Sequence, residues 1–399
     1  MLRLAARCGK QARAGLKELT LKKGRQSVDR GKKPPTGKVK NARGTWGALD
    51  KSAPGQAAAL LIDAFQAQAA RAPRAPGVYL MKDSDGRILY VGKSVDIRSR
   101  LRQHAASLRA GYGERNYRWI RQVRDLSWLE TGSELYALLL EDQLIKAHWP
   151  GGNVRQKEYL EYAWLTFSNE TLPRLLVIEA RHRSRHTPLF GPFHDRYHAR
   201  DMAALLEARF RLRTCAAVRA GGCSLGEIRH CSAPCRSREA SSRYLRTVKR
   251  AGDALSGFDP FFVRYIETMR QREAERQAFK KAAWYQLMLK RYRACISRQL
   301  FLDRFQRHGL IVRERGRWPN TFEFFRGRLM RRNGGMTPVD ELFAESGEPA
   351  DDWGVIDRAH VIWRWLGSRS DGEAAFIDAR QVQKGWLEAS PGLSPLARE

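Results

Sequence analysis

Nowhere in this chain of 399 residues do about 18 apolar side chains, the length a membrane-spanning helix needs, follow one another, and the mean hydropathy is negative. A membrane-embedded reading is therefore excluded, and a cytoplasmic protein is expected. Cysteine is scarce. The six thiols, Cys8, Cys215, Cys223, Cys231, Cys235 and Cys295, are too few and too unevenly spread for the disulfide framework of a secreted domain. The N-terminal segment also lacks the apolar stretch of a secretory signal. Acidic residues are in short supply, since 42 Asp and Glu face 73 Lys and Arg, leaving a formal charge of +31. Such an excess points to a polyanionic partner, and nucleic acid fits it better than a solvated basic surface or an anionic membrane patch.

What is present is unevenly distributed. Residues 1–55 form a Lys- and Arg-rich, low-complexity arm containing Pro34 and Pro35, expected to be disordered and to lie along phosphates. The next segment is Ala-rich with Leu60, Leu61 and Phe65 at helical spacing, and reads as a leading helix over 56–74 that Pro73 and Pro76 bring to an end. Strand, turn and helix signals then alternate closely over 75–162. A connector holding the clustered cysteines is expected over 163–238, a charged helical region over 239–300, and a small mixed region over 301–399 with strands near 309–313 and 321–329. The length favours two to three domains, and the fold class is α/β of the α+β kind.

Two β-rich runs, Gly77-Val78-Tyr79-Leu80-Met81 and Ile88-Leu89-Tyr90-Val91-Gly92, flank Asp83-Ser84-Asp85-Gly86, which has the composition of a hairpin loop. If those four residues are unpaired, Lys82 faces Arg87 and Tyr79 falls opposite Tyr90, with both phenols on one sheet face. Alone, this is an ordinary aromatic cross-strand pair. Lys93, Arg100 and His104 follow at near-integral helical turns and would share one side of a continuous helix, with Ile97 and Leu101 packed inward and Arg98 and Arg102 available to DNA. Phosphodiester hydrolysis uses such cations beside hydroxyls; a solvated Arg-rich face is the alternative.

Glu141 weighs most. Its helix has Ser133 as N-cap, and its neighbours one turn away, Ala137, Leu138, Leu144 and Ile145, are all apolar, so the carboxylate belongs to a face that should be buried. A buried acid requires a raised pKa or a compensating cation, either an arginine or a hard divalent metal. Asn153, in Gly-Gly-Asn-Val, either binds a phosphate or caps a turn.

Taken in order, Gly77-Val78-Tyr79, Tyr90-Val91-Gly92-Lys93, Arg100, His104, Leu140-Glu141 and Asn153-Val154 resemble the motif set of GIY-YIG nucleases over residues 76–157. The resemblance implies a small domain with a three-stranded antiparallel sheet and flanking helices. It also implies one divalent ion, Mg2+ or Mn2+, held by Glu141, and hydrolysis of one strand. Tyr90 or Tyr79 would act as, or orient, the general base; Lys93 would assist, and Arg100 would stabilise the pentavalent transition state. Two positions depart from the pattern: His104 stands where UvrC-like members often carry tyrosine, and Gly152 precedes Asn153 where an aromatic is usual.

The remaining cysteines follow Cys-x7-Cys-x7-Cys-x3-Cys from Cys215 through Cys223 and Cys231 to Cys235, flanked by Arg211, Arg213, Arg219, Arg229 and Arg236. Four thiols in basic surroundings suggest a metal, and the spacing alone does not separate zinc from iron and sulfur. Arg211, Arg213 and Arg229 are expected to face DNA. Phe190-Gly191-Pro192-Phe193, Phe210-Arg211-Leu212-Arg213 and Cys231-Ser232-Ala233-Pro234-Cys235 extend the resemblance to the N-terminal half of UvrC and to the single-nuclease excinuclease Cho. This implies a structural 4Fe–4S cluster, with zinc as the alternative. Phe279-Lys280-Lys281-Ala282-Ala283 resembles faintly the helical hairpin by which UvrC docks onto UvrB, or is a generic amphipathic helix. No second nuclease constellation assembles beyond residue 300, so the resemblance implies one incision, 3′ of a lesion, in nucleotide excision repair. A UvrB-independent GIY-YIG nuclease acting on branched or mobile-element DNA, and a non-cleaving DNA-binding adaptor, are the competing readings.

Overall fold

The computed structural model describes residues 54–109, 118–153, 162–179, 189–193, 195–218, 221–333, 352–369 and 372–377. All but the last two residues of the expected basic arm lie outside them. In chain order the elements are α1 (Pro54–Arg71), β1 (Gly77–Lys82), β2 (Ile88–Ser94), α2 (Ile97–Arg109), β3 (Asp125–Glu130) and α3 (Glu134–His148). They continue with β4 (Ala163–Phe167), β5 (Leu175–Glu179), β6 (Phe190–Phe193), α4 (Arg196–Phe210), α5 (Ser224–Glu227), α6 (Arg238–Leu255), α7 (Pro260–Glu275) and α8 (Phe279–Arg307). Last come β7 (Gly309–Glu314), β8 (Asn320–Phe325), β9 (Arg328–Arg332), α9 (Asp352–Ser368) and β10 (Gly372–Ile377). The chain divides into two compact units, one of Met1–Lys157 with Phe305–Glu399 and one of Glu158–Arg304. No described helix is long and apolar enough to cross a membrane.

In the first unit, the antiparallel sheet β2-β1-β3 is covered on both faces. Alternation along β1 sorts its side chains between two layers. Val78 and Leu80 join Val91, Leu129 and the α3 residues Ala137, Leu140, Leu144 and Ile145. Tyr79 and Met81 face Phe65 and Ala69 of α1 with Ile97, Leu101 and Ala105 of α2. The hairpin corrects the expected register: Lys82 pairs with Ile88, Met81 with Tyr90 and Tyr79 with Gly92, with an irregularity between Met81 and Lys82. Its cause is local. The Asp83 carboxylate accepts the N–H groups of Asp85 and Arg87, each at 2.9 Å, which draws Arg87 into the turn and lengthens the loop by one residue. A bulge at Leu89 then moves the pairing by one more. Two single-residue shifts preserve parity, so the tyrosines stay on one face although they are not opposite each other.

The same unit contains the four-stranded antiparallel sheet β10-β7-β8-β9 and α9. The stretch expected as strand over 321–329 is split by Arg326 and Gly327, whose φ angles of 48° and 78° make a two-residue hairpin turn. This module is tied to the start and flank of α3. Glu314 accepts the Glu134 N–H at 3.0 Å, Asn320 donates to the Gly132 carbonyl at 2.7 Å, and Lys146 pairs with Asp357 at 2.6 Å.

The second unit builds its core from Leu165, Phe190, Leu206, Tyr244, Phe262 and Tyr292. Its sheet, β5-β4-β6, occupies the segment read from sequence as a connector. The helices α7 and α8 are bridged by Arg293–Glu267 at 2.9 Å and Arg270–Gln286 at 2.7 Å.

Candidate active site

The site forms at the outer end of β2, an edge strand whose two faces meet α2 and α3. Gly92 makes it possible. A Cβ there would lie 2.4 Å from Cζ and Oη of Tyr79 and 2.7 Å from Cε1 of Tyr90, so only glycine lets the phenol lie across the strand. Tyr79, Tyr90 and His104 form a triangle with ring centroids 5.7 to 6.1 Å apart. Oη of Tyr79 lies 2.8 Å from Nε2 of His104. Burial pushes the Tyr79 phenol above its ordinary range, with Tyr90 adding to the effect and a hydrogen bond from Arg100 opposing it. Burial, followed by the charge of Arg100, pushes His104 down to about 4. At neutral pH the phenol is therefore protonated and the imidazole neutral, which makes Tyr79 the donor and Nε2 the acceptor.

Tyr90 is held from the other side by Trp119, whose ring stacks on it at 4.9 Å with an interplanar angle of 10°. Trp119 carried no motif in the sequence, but Gly152 was a signal for it. A Cβ at Gly152 would lie 2.7 Å from the Trp119 ring, so the indole occupies the space that the missing side chain leaves.

Glu141 is 7% exposed, on the α3 helix that Ser133 caps by accepting the Tyr136 N–H at 2.9 Å. Its Oε1 accepts the backbone N–H of Lys93 at 3.0 Å, which brings the acid to the end of β2 within electrostatic reach of Tyr79. Lys93 itself stands in β2 opposite Val78, and not on one helix with Arg100 and His104 as expected. The helix begins only at Ile97, after Asp96 accepts the Ser99 N–H. The Lys93 ammonium pairs with Glu134 at 3.0 Å, and Arg369 binds the other oxygen of the same carboxylate. Nothing in the sequence pattern singled out Glu134, since its importance depends on a pairing across the fold.

Arg100 is exposed, hydrogen-bonded to the Tyr79 hydroxyl and to Gln103 at 3.1 Å. Arg102 is exposed as well, whereas Arg98 turns back to donate to the Ala72 carbonyl at 2.6 Å. Asn153 corrects an expectation. It is 2% exposed and clips the edge strand, accepting the Val91 N–H at 2.9 Å and donating to the Val91 carbonyl at 2.7 Å, so it faces backbone and not phosphate.

In the second unit Cys231 is buried and Cys215, Cys223 and Cys235 are half-buried. Burial pushes the Cys231 thiol up, the Ala233 N–H at 3.4 Å opposes this, and the other three thiols are near enough to add to the rise. Among the described residues, no three His, Cys or carboxylate side chains already stand as a set of metal ligands. Arg211 and Arg229 are exposed. Arg213, expected to face DNA, is 1% exposed: it donates to the carbonyls of Leu172 and Cys215 and pairs with Glu170, a strut inside the loop.

Residues 75–154 match the family model of the UvrC-like GIY-YIG domain, and residues 162–254 that of the UvrC/Cho excinuclease middle domain. Those two segments are therefore a UvrC-like GIY-YIG domain and a UvrC/Cho-type middle domain. UvrABC system protein C of Methanosarcina acetivorans is 31% identical over 210 residues, which are 53% of this chain and 40% of that protein. The protein of that name from Anaplasma phagocytophilum is 35% identical over 187 residues, 46% of this chain and 30% of the relative. The chain thus spans less than half the length of these UvrC relatives. The magnesium-bound N-terminal endonuclease domain of Thermotoga maritima UvrC is 31% identical and covers 23% of this chain and 96% of its own, at a TM-score of 0.20. The family models carry the assignment, and Tyr79, Tyr90, Lys93, Arg100, His104, Glu141 and Asn153 all fall inside the UvrC-like segment, a domain of the phosphodiester-hydrolase class.

Proposed function

We propose that this chain is a divalent-metal-dependent, structure-specific endonuclease of nucleotide excision repair that cuts one DNA strand once, 3′ of a lesion. The observation that carries this reading is the buried Glu141 carboxylate at the end of β2, beside Lys93 and within reach of Tyr79. Its donor chemistry fits Mg2+ or Mn2+, hard cations that take oxygen ligands and are commonly held through one or two carboxylates. When bound, such an ion supplies Lewis-acid stabilisation of the phosphate.

The chain's own residues do the rest. Arg100, exposed next to the Tyr79 hydroxyl, meets the phosphate and stabilises charge on its equatorial oxygens. The attacking water gives its proton to Oη of Tyr79 as the phenol's proton passes to Nε2 of His104. The incoming phosphate, being negative, raises the proton affinity of His104 at that moment. The water oxygen bonds phosphorus as the ester bond on the opposite side breaks, and the departing ester oxygen keeps the electron pair and takes a proton from solvent water. Lys93, tethered to Glu134, adds positive field, and Trp119 holds Tyr90 in place. Asn153 acts as a positioning residue for β2.

Cys215, Cys223, Cys231 and Cys235 would hold a 4Fe–4S cluster, or zinc, as a structural staple. The Ala233 N–H on Cys231 Sγ and the Arg213 guanidinium 3.8 Å from Cys215 Sγ would favour thiolate ligands. The α7–α8 hairpin, with Phe279 69% exposed, is the surface proposed for UvrB, and action on DNA in the cytoplasm follows from the same reading.

The deciding experiment is nicking of lesion-bearing duplex, with and without UvrB. Glu141→Gln is expected to abolish cutting and to keep DNA affinity; cutting at the wild-type rate would sink the reading. Anaerobically purified protein is expected to contain iron and sulfide, and a colourless, zinc-loaded preparation decides for zinc.

A further inference from the structure

Beside the catalytic cluster the first unit has two clefts that share Arg74 and Asp96. One, of about 450 Å³, runs along α2 past Arg98 and Arg102. The other, of about 260 Å³, continues between the start of the nuclease domain and the C-terminal module, where Glu134, Arg315, Arg317 and Trp318 line it. Glu134 is the carboxylate that holds Lys93, so the second cleft ends one side chain from the proposed active site.

Charge in this track is unbalanced in a particular way. Its acids are committed: Asp96 accepts the Ser99 N–H, Glu134 is shared by Lys93 and Arg369, and Glu314 accepts the Glu134 N–H. Its cations are less so. Arg315 pairs with Glu373, but Arg74, Arg102 and Arg317 are exposed and make no hydrogen bond or ion pair among the described residues. Trp318 is 38% exposed, with the Arg317 guanidinium 5.4 Å from its ring centroid. A cationic track with an accessible aromatic is what a nucleic-acid strand requires: point charges for successive phosphates and a flat face for a base. The cleft is far too small for a duplex.

We propose that the C-terminal module extends the nuclease domain with a groove for one unpaired DNA strand next to the cut, with Arg74, Arg102 and Arg317 on phosphates and a base stacked on Trp318. This rests on the endonuclease reading, and under it the region beyond residue 304 selects DNA with a locally opened strand over intact duplex. Because every base offers a flat face to an exposed indole, selectivity depends on strand opening and not on base identity.

The test uses the full chain with EDTA present, so that nothing is cut, and compares a blunt duplex with the same duplex carrying an internal bubble. Trp318→Ala is expected to weaken binding of the bubble by roughly ten-fold or more and to leave the blunt duplex unchanged, with Trp318→Phe restoring most of the loss. Arg74→Gln with Arg317→Gln is expected to flatten the salt dependence on the bubble by about 0.7 log units of slope per lost phosphate contact. Wild-type binding of the bubble by Trp318→Ala, or an equal loss on both DNAs in a protein that melts normally, overturns the groove. The two readings fail separately: a Glu141→Gln protein that still cuts refutes the nuclease, while a Trp318→Ala protein that binds the bubble normally refutes only the groove.

Discussion

Gly92 and His104 are single residues whose chemistry is decided by what surrounds them. A methyl group at Gly92 would have to displace the Tyr79 phenol, which is itself buried and bonded to His104. Gly92→Ala is therefore expected to destabilise the first unit by about 1–3 kcal/mol, as overpacking does, and to reduce nicking by at least ten-fold at temperatures where the protein stays folded. Thermal melts and nicking rates read the two effects separately. For His104 the sign follows from its lowered pKa. The unfolded chain takes up a proton near pH 6.5, whereas the folded imidazole resists until about 4. Stability linked to this group is complete above pH 6.5 and is lost as pH falls toward 4, by up to about 3 kcal/mol. Urea melts at pH 7.5 and 4.5 are expected to show a smaller acid loss for His104→Gln than for the wild type; an identical loss would mean that His104 charges freely in the folded protein.

Elements were legible in proportion to how local their causes are. The apolar neighbours of Glu141 place it on the buried side of α3 because that depends only on the period of its own helix, whereas Tyr79 and Tyr90, on different strands, share a face only because the two register shifts cancel. The register was not legible, since the Asp83 side chain decides how long the turn is. Lys93 fell into the strand because pairing with Val78 overrides helical spacing, and Arg213 turned inward because Glu170, 43 positions earlier, compensates it. The sheet β5-β4-β6 is not legible in the sequence because its strands are short, β6 having four residues with a proline among them. Asn153 makes the same point functionally. A phosphate ligand and a strand clip look alike in sequence but behave differently when removed. Asn153→Ala leaves the N–H and carbonyl of Val91 without their partner, at a cost of about 1–3 kcal/mol. It is expected to lower the nicking rate while DNA affinity measured in EDTA stays unchanged; a loss of affinity without a loss of stability would restore the phosphate contact.

For the whole molecule the governing quantity is the charge of +31, and much of it is concentrated at one end. Residues 1–45 contain fourteen Lys and Arg against two acids, and none of the proposed site residues lies among them. If that arm rides on the DNA backbone, each phosphate it neutralises adds about 0.9 to the slope of log K against log salt on duplex DNA. Deleting 1–45 is then expected to weaken binding most at low salt and to flatten the slope by several units, whereas the cutting rate of the bound complex at saturating protein is unchanged. The two measurements separate recruitment from chemistry. A deletion that leaves the slope untouched places the DNA-binding charge on the folded units instead, on Arg100, Arg102 and the exposed cations of the groove, and the arm would then have no part in holding the substrate.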